Sequence, residues 1–418
     1  MSEAKTINVF ADWKGLAQPT LMGTLDVAFV RGKEVFSFEY DMDWLKTKRY
    51  QNLDPSLGLY AGKQFPAVGK RNFGLFLDSC PDRWGRFLLQ RRETLLARKE
   101  NRRSQRLHES DYLLGVHDMQ RMGAIRFQAN NRFMDDNTDY AAPPWTSLST
   151  LEHISLQVEN DDNLMHPDYE RWLHMLLAPG SSLGGARPKA NVVGPKGQLW
   201  VAKFPSRNDS VDVGLWEGLA NQLAKDAGIC VAESKIQCFA SNHHTFLSKR
   251  FDRQQHQRIH FASAMTLLER EDGDDYTNGA SYLEIVQFIQ QQGSQPKVDL
   301  MELWRRIVFS ACISNTDDHL RNHGFLLTEN GWKLSPAYDL NPNPEGYGLR
   351  LNISETDNSQ DIGLLQEVAP YFHLSKKEAD TILADVLQAV QKWKIVANTL
   401  GISPTQQSLF EPAFRLVE

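Results

Sequence analysis

The sequence contains few cysteines, and their spacing suits neither a disulfide scaffold nor a zinc finger. Cys80, Cys230, Cys238 and Cys312 are the four among 418 residues, and no two stand at a Cys-x-x-Cys interval. The pattern indicates reduced thiols and predicts a cytoplasmic protein. No apolar run reaches the roughly 18 residues of a membrane-spanning helix, and the first residues lack the basic and apolar segments of a signal peptide. We therefore expect a soluble protein without a membrane partner.

Charge of one sign is not in large excess either. The chain has 46 Lys and Arg residues against 52 Asp and Glu residues, a net charge of −6 and an isoelectric point near 6.1. This balance disfavours a protein that binds nucleic acid over its whole surface, although it leaves room for a local basic patch. The length predicts two or three domains with substantial cores.

Strand and helix patterns change along the chain. Strands are predicted within 7–40, 190–204 and 234–248, with a hairpin turn at Arg31-Gly32-Lys33, and helices within 81–108, 213–227, 282–291, 300–313 and 376–399. A polar segment over 130–144 is predicted to be a loop. The order, from a strand-rich front through a mixed middle to a helical back, predicts an α+β fold.

A glycine-rich segment precedes the strands of the middle region. Residues 181–190 run Ser-Ser-Leu-Gly-Gly-Ala-Arg-Pro-Lys-Ala. Small residues let backbone N–H groups approach an anion, and Arg187 and Lys189 add positive charge. A plain glycine turn before a strand is an equally good interpretation of this segment alone.

A lysine ends the strand that follows. Lys203 closes the apolar pattern Leu199-Trp200-Val201-Ala202-Lys203-Phe204, and an unpaired ammonium on a buried strand is costly. A phosphate ligand or the carboxylate of Glu217, on the next helix, would satisfy the charge. The alternative is an edge-strand lysine that points to solvent.

The segment from Asn315 to Gly324 is the richest in polar side chains. Asp317 and Asn322 stand at the D-x4-N spacing of a kinase catalytic loop, in which the aspartate accepts a hydroxyl proton and the asparagine holds magnesium. Asp339 downstream is a candidate for the second metal carboxylate. Two alternatives remain for this segment: a zinc site built on His319 and His323, which would share one face of a helix, and a hydrogen-bonded loop without catalysis.

The order of these features favours phosphoryl transfer. A glycine-rich loop, a strand lysine, a helix glutamate, D-x4-N and a later aspartate follow one another as a kinase requires. Cations for the phosphates, oxygen ligands for magnesium and a base for the hydroxyl are most of what this chemistry needs. The joint pattern is much more specific than any of its parts.

Most of the chain resembles the HipA family, the serine/threonine kinase toxins of bacterial type II toxin–antitoxin systems. The resemblance rests on Pro81-Asp82-Arg83-Trp84-Gly85-Arg86, on Tyr112-Leu113-Leu114-Gly115-Val116 with Gly123-Ala124-Ile125-Arg126-Phe127, on the 181–190 loop, on Arg250-Phe251-Asp252-Arg253, and on the Asn315–Gly324 and Tyr338–Asp339 motifs. It implies a two-lobed protein-kinase-like α+β fold with an additional subdomain. The implied parts are a β-rich N-terminal subdomain (1–125), a nucleotide-binding lobe (126–255) and a helical catalytic lobe (256–418).

The resemblance also implies a role for individual residues. It implies Asp317 as the catalytic base, with Asn322 and Asp339 as ligands of Mg²⁺. The implied ATP-binding residues are Ser182, Gly184, Gly185, Ala186, Arg187 and Lys189 of the loop, Lys203 for the phosphates, and the backbone of Lys249 and Phe251 for adenine. Ser182, or the adjacent Ser181, corresponds to the loop serine that the family autophosphorylates.

Family members usually pair with a helix-turn-helix, HipB-like antitoxin, and the complex represses its own operon by binding operator DNA. The implied target class is the aminoacyl-tRNA synthetases or another translation protein. A small-molecule kinase and a catalytically silent corepressor are the alternative functions. The basic stretch from Arg83 to Arg106 is interpreted either as a phosphate-contacting surface or, preferably, as a solvated helix face.

Overall fold

A computed structural model describes residues 4–47, 52–134, 142–177, 185–255 and 257–417. The strands are β1 Lys5–Ala11, β2 Thr20–Val30, β3 Lys33–Tyr40, β4 Ile125–Ala129, β5 Arg132–Phe133, β6 Lys189–Val193, β7 Leu199–Lys203, β8 Ser234–Cys238, β9 His244–Lys249, β10 Arg253–Gln254, β11 Gln257–Arg258, β12 Phe261–Ser263, β13 Gly324–Thr328 and β14 Gly331–Leu334. The helices are α1 Met42–Lys46, α2 Gly74–Leu77, α3 Arg83–Lys99, α4 Glu109–Leu114, α5 Leu148–Glu159, α6 Tyr169–Leu177, α7 Val213–Asp226, α8 Ala264–Leu267, α9 Tyr282–Gln292, α10 Pro296–Cys312, α11 Ile362–Val368, α12 Lys376–Val390, α13 Trp393–Leu400 and α14 Pro404–Phe410. The α+β fold class is confirmed.

The chain divides into two compact units. The first comprises Met1–Asn208, Phe239–Asn242 and Asp252–Ala262, and the second comprises Asp209–Cys238, His243–Phe251 and Ser263–Glu418. Among the described residues, no helix combines the length and the apolar composition needed to cross a membrane. Whether the three predicted segments fold as separate domains stays a prediction.

An antiparallel sheet of order β3-β2-β1-β4-β5 forms the front of the first unit. The predicted hairpin at Arg31-Gly32 is present between β2 and β3, and both residues have positive φ (50° and 78°), as a tight two-residue turn requires. Strand alternation turns side chains such as Phe38 and Phe127 inward. Both rings pack against Phe76 of α2, at centroid distances of 5.4 and 5.9 Å.

The second unit is mainly helical. Its core contains Trp216 of α7, stacked on Phe410 at 3.9 Å, and Trp393 of α13, stacked on Phe414 at 4.3 Å. The single helix predicted over 376–399 is wrong, because α12 ends at Val390 and α13 begins at Trp393. Trp393 begins α13 and stacks on Phe414, a contact between residues distant in sequence that periodicity alone does not reveal.

Aspartates and arginines form a buried network behind the sheet of the first unit. Asp118 accepts hydrogen bonds from Arg126 at 2.7 Å and from Arg258 at 3.0 Å. Burial alone would raise the pKa of Asp118, but Arg258 and Arg126 hold it below the usual value. Asp252, fully buried, accepts from Gly123 N at 2.8 Å and is paired with Arg253. Two of the family motifs thus meet in one structural network.

His260 provides a test of burial in this unit. Its ring stacks on Trp13 at 5.6 Å, and burial lowers the pKa of His260 from 6.5 to about 3. Below pH 6.5, His260 therefore binds a proton in the unfolded chain but stays neutral in the folded chain. The free energy of unfolding consequently falls as the pH drops from 6.5 towards 3. We expect His260→Gln to remove about 1.4 kcal/mol per pH unit from the slope of unfolding free energy between pH 6 and pH 4.

Urea denaturation at a series of pH values measures this slope. His166→Gln is the matched control, since the side chain of His166 is 43% exposed and its replacement should leave the slope unchanged. Parallel slopes for the wild type and His260→Gln would contradict the assignment.

Candidate functional site

The loop between α10 and β13 carries the D-x4-N motif of the second unit. Helix α10 is almost entirely buried at its end, where Ile313 caps it, and the chain then turns towards the surface. The side chain of Asp317 is exposed, whereas its neighbour Asp318 is buried. Asp317 therefore presents its carboxylate to solvent in the loop that follows α10.

Asn322 is tied to the backbone of this loop. The carbonyl oxygen of Asp317 accepts hydrogen bonds from the Asn322 side-chain Nδ2 at 3.0 Å and from His319 N at 2.9 Å. Asn322 is 6% exposed, and its buried Oδ1 meets no hydrogen-bond donor among the described residues. A buried amide oxygen without a donor is costly unless a cation or water satisfies it, so its position suits a metal ligand.

Asp339, the second predicted ligand, has an unusual backbone conformation. Its φ is +60°, in the left-handed region that Asp tolerates better than most residues. The preceding residues fix this geometry: Ala337 N donates to Cys230 O at 2.7 Å, and the Tyr338 hydroxyl donates to Arg321 O at 2.6 Å. Tyr338, the residue before Asp339, is thereby bonded to the D-x4-N segment.

Tyr338 also contacts a predicted adenine-binding residue. Its ring lies 5.6 Å from that of Phe251. Lys249, two residues earlier, donates its N–H to Glu233 O at 2.8 Å and pairs its ammonium with the same glutamate at 3.1 Å. The backbone N–H of Lys249 is thus engaged by Glu233.

The two predicted metal ligands lie in separate segments, Asn322 before β13 and Asp339 after β14. An amide oxygen from Asn322 and a carboxylate from Asp339 are the hard ligands that Mg²⁺ prefers, usually completed by water and substrate phosphates. In the described ranges, no three His, Cys, Asp or Glu side chains gather as a metal cluster. The premise of the zinc alternative is wrong, because Leu320–Asn322 form a 3₁₀ turn and not an α-helix that would align His319 with His323.

The glycine-rich segment lies in the first unit, and only part of it can be located. Ser181, Ser182 and Gly184 lie outside the described residues. Gly185 has φ +80°, Ala186 is exposed and Arg187 is half-buried. The structure thus describes only the end of the segment that leads into β6.

Lys189 is the best-defined residue of this segment. It is 1% exposed, and its Nζ lies 2.6 Å from Asp82 Oδ2 and 3.1 Å from Gly185 O. The other oxygen of Asp82 accepts from Gly85 N at 2.8 Å and caps α3, while Trp84 Nε1 donates to Lys189 O at 3.0 Å. The sequence predicts a phosphate contact for Lys189, but the ammonium is held by an internal carboxylate that joins the loop to α3.

Lys203 ends β7 directly opposite Lys189 in the β6–β7 hairpin and is half-buried. Glu217 is 4% exposed on α7 of the second unit. Both residues stand on the elements predicted for them, and their pairing stays a prediction.

Four of the nine basic side chains in the stretch from Arg83 to Arg106 form ion pairs with local acids. Its ion pairs are Arg86–Glu109 (2.7 Å), Lys99–Glu170 (2.6 Å), Arg102–Glu93 (2.5 Å) and Arg91–Asp161. Paired guanidinium groups release fewer counterions from a nucleic acid. The geometry favours the solvated helix face over the phosphate-contacting surface.

Sequence reasoning missed Tyr338 as the link between the motifs, and it missed the buried partners of the loop. Asp318, Tyr282, Ser310 and His323 form a polar cluster under Asp317. The doubled aspartate in the motif was the only local signal, and it does not show which of the two is buried.

Comparisons with known proteins show the family of the chain. The model of the HipA-like C-terminal domain matches residues 181–394, just over half of the chain. A Haemophilus influenzae protein named "Putative kinase" is 32% identical over 144 residues, covering 31% of this chain and 42% of the relative. The toxin YjjJ of Escherichia coli is 29% identical over 221 residues, covering 46% and 45%. The chain thus spans less than half the length of these curated relatives.

A solved structure shares the fold over nearly the whole chain. It is HipA of a Shewanella oneidensis toxin–antitoxin system, in complex with HipB and operator DNA. The TM-score is 0.69 with 16% sequence identity, covering 98% of this chain and 96% of that one. At this identity the likeness establishes the α+β fold alone.

The Asp82–Lys189 pair can be tested by its effect on stability. Removing one partner of a buried ion pair leaves an uncompensated charge, at a cost of about 3–5 kcal/mol. We expect Lys189→Met to lower the free energy of unfolding by that amount, and the double variant with Asp82→Asn to recover part of the loss. Urea denaturation measures both.

Lys99→Met is the matched control, since Lys99 makes an equally short ion pair with Glu170 but is 58% exposed. Its cost should stay below about 1 kcal/mol. Equal losses for the two lysines would show that the Asp82–Lys189 contact adds nothing beyond a surface pair.

Proposed function

The chain belongs to the family defined by the HipA-like C-terminal domain, and we propose that it is an ATP- and magnesium-dependent kinase that phosphorylates serine or threonine in a protein. The observation that supports this most directly is the D-x4-N loop. Asp317 presents an exposed carboxylate, and Asn322 is bonded to the Asp317 carbonyl through Nδ2, while its Oδ1 meets no donor in the part of the chain that the structure describes. A kinase needs a base and an oxygen ligand held together in this manner.

In the proposed reaction, the Asp317 carboxylate accepts the proton of the substrate hydroxyl as its oxygen attacks the γ-phosphorus of ATP. The bond between that phosphorus and the β,γ-bridging oxygen breaks, and ADP leaves. Asn322 Oδ1 and the Asp339 carboxylate would hold Mg²⁺, which neutralises charge on the phosphates when it is bound. Lys203 and the loop containing Gly185, Ala186 and Arg187 would contact the phosphates.

The carbonyl of Lys249 and the backbone of Phe251 would bind adenine. Phe251 supports this role through its ring contact with Tyr338, which precedes Asp339 and bonds to Arg321. Tyr338 would then align the proposed adenine-binding segment with the two segments of the second unit that carry the proposed metal ligands.

The same proposal includes a toxin role with a HipB-like, helix-turn-helix antitoxin that binds operator DNA. The name of the Escherichia coli relative and the composition of the Shewanella oneidensis complex support it. The proposed target is an aminoacyl-tRNA synthetase or another translation protein. Autophosphorylation at Ser182 or Ser181 is part of the proposal, and both residues lie outside the described ranges.

Replacing the base tests the kinase proposal. We expect Asp317→Asn to lower phosphoryl transfer by about 10²-fold or more, since general-base catalysis contributes about 10²–10⁴-fold, while ATP affinity and folding stay normal. Purified protein is incubated with Mg-ATP and bacterial lysate proteins. Mass spectrometry then measures phosphate on those proteins and on the tryptic peptide 172–189, which contains Ser181 and Ser182.

Asp380→Asn is the control, because it removes a comparable exposed carboxylate from α12 and should leave transfer unchanged. Full activity of Asp317→Asn would remove Asp317 from the mechanism. ATP binding by calorimetry without transfer by the wild type would contradict the kinase and favour a silent antitoxin-binding corepressor. Phosphate found only on metabolites would favour a small-molecule kinase.

A further inference from the structure

A buried polar cluster lies directly under the exposed base. It consists of Asp318, His323, Tyr282 of α9 and Ser310 of α10. Asp318 Oδ2 accepts from the Tyr282 hydroxyl at 2.8 Å and from the Ser310 hydroxyl at 3.2 Å. His323 Nε2 lies 3.1 Å from Asp318 Oδ1. All four side chains belong to the second unit and are at most 4% exposed.

The contact between Asp318 and His323 is close, but it differs from the hydrogen bonds that Tyr282 and Ser310 donate to Asp318. Neither ring nitrogen of His323 makes an aligned hydrogen bond with a described residue, although Nε2 lies 3.1 Å from the Asp318 carboxylate. The ring of Tyr282 meets that of His323 edge to face at 5.5 Å. Burial alone would raise the pKa of Asp318, but His323, Tyr282 and Ser310 bring it below the usual value, so the carboxylate stays ionised.

The position of this cluster in the chain matters most. Asp318 immediately follows Asp317, and His323 immediately follows Asn322. The Asp318–His323 contact therefore joins the two ends of the segment that carries the base and the proposed metal ligand. Within the segment, His319 N donates to Asp317 O at 2.9 Å and Asn322 N donates to His319 O at 2.8 Å.

The cluster also anchors the segment to fixed elements. Tyr282 stands at the start of α9, after the capping residue Ser281, and its N–H donates to Asn352 O at 3.0 Å. His323 accepts from Ala264 N at 2.7 Å through its carbonyl oxygen. Two helices and a backbone contact thus support the buried side of this short segment. Its own regular structure is the single 3₁₀ turn Leu320–Asn322.

We propose that Asp318 is a positioning residue, which fixes Asp317 and Asn322 at the geometry of phosphoryl transfer through its contacts with His323, Tyr282 and Ser310. This inference rests on the proposed kinase function. A base displaced by about 1 Å costs about 10²-fold in rate, and supporting contacts prevent such displacement. Asp318 touches neither ATP nor the acceptor in this scheme.

The test compares Asp318→Asn and Tyr282→Phe with the wild type as full-length protein. Asp318→Asn keeps the shape of the side chain but removes the charge that faces His323, and Tyr282→Phe removes only one hydroxyl. We expect kcat to fall by about 10- to 100-fold for Asp318→Asn and by less for Tyr282→Phe. The KM for ATP should stay within about twofold, because nucleotide binding is not altered.

Hydrogen exchange without nucleotide gives a second readout. We expect faster exchange for the amides of His319 and Asn322 in both variants, since those amides donate within the supported turn. Residues of α12 serve as the internal reference and should exchange at the wild-type rate. A general loss of stability would accelerate exchange in both places, so local acceleration identifies positioning.

Two matched controls remove buried groups that belong to other elements. Asp299→Asn alters a buried aspartate of the same unit that accepts from Leu334 N at 3.2 Å. Tyr169→Phe removes a buried hydroxyl that bonds to Val158 O at 3.4 Å. Neither should change kcat or the exchange of the turn.

The outcomes separate the two proposals. Wild-type kcat and unchanged exchange of the turn in Asp318→Asn would overturn the positioning role and leave the kinase proposal intact. Absence of transfer by the wild type itself would overturn the kinase proposal, and the exchange comparison would still decide whether Asp318 orders the turn. If Asp318→Asn does not fold, Tyr282→Phe supplies the same comparison with a smaller change.

Discussion

Burial of aspartate carboxylates is the constraint on which most of this structure depends. An ionised carboxylate leaves water only if cations and hydrogen-bond donors replace its hydration. Asp82 meets Lys189 and the N-terminus of α3, Asp118 meets two arginines, and Asp318 meets two hydroxyls and an imidazole. Each carboxylate ties together segments that are distant in sequence, so its environment determines where loops begin and end.

The motifs that carry the family resemblance have different structural roles under this constraint. In Pro81–Arg86, Asp82 and Trp84 bond to Lys189, and Arg86 pairs with Glu109. In Arg250–Arg253, Asp252 accepts from Gly123 of another motif. These contacts fix parts of the framework. The residues proposed for chemistry differ in a simple way, since Asp317 is exposed and one oxygen of Asn322 meets no donor among the described residues.

Local patterns predicted the elements well wherever short-range physics decides them. The β2–β3 hairpin follows from Arg31-Gly32, and α7 ends where Gly228 adopts φ +79°. Patterns failed where distant contacts decide. The helix predicted over 376–399 missed the break between α12 and α13, next to which Trp393 stacks on Phe414, and the partner of Lys189 lies 107 residues away. The phosphate contact predicted for Lys189 stays a prediction, and the fold adds that its ammonium is paired with Asp82.

The doubled aspartate of the D-x4-N motif shows the same limit within two residues. Asp317 and Asp318 are chemically identical, and the spacing to Asn322 selects only the first. The backbone turns them to opposite sides, one to the surface and one towards the hydroxyls of α9 and α10. The three partners of the buried Asp318 carboxylate restrict rotation of its backbone. They thereby also restrict the adjacent peptide, which carries Asp317. An exposed carboxylate with no such neighbour would depend only on the 3₁₀ turn at Leu320–Asn322 and its few backbone hydrogen bonds.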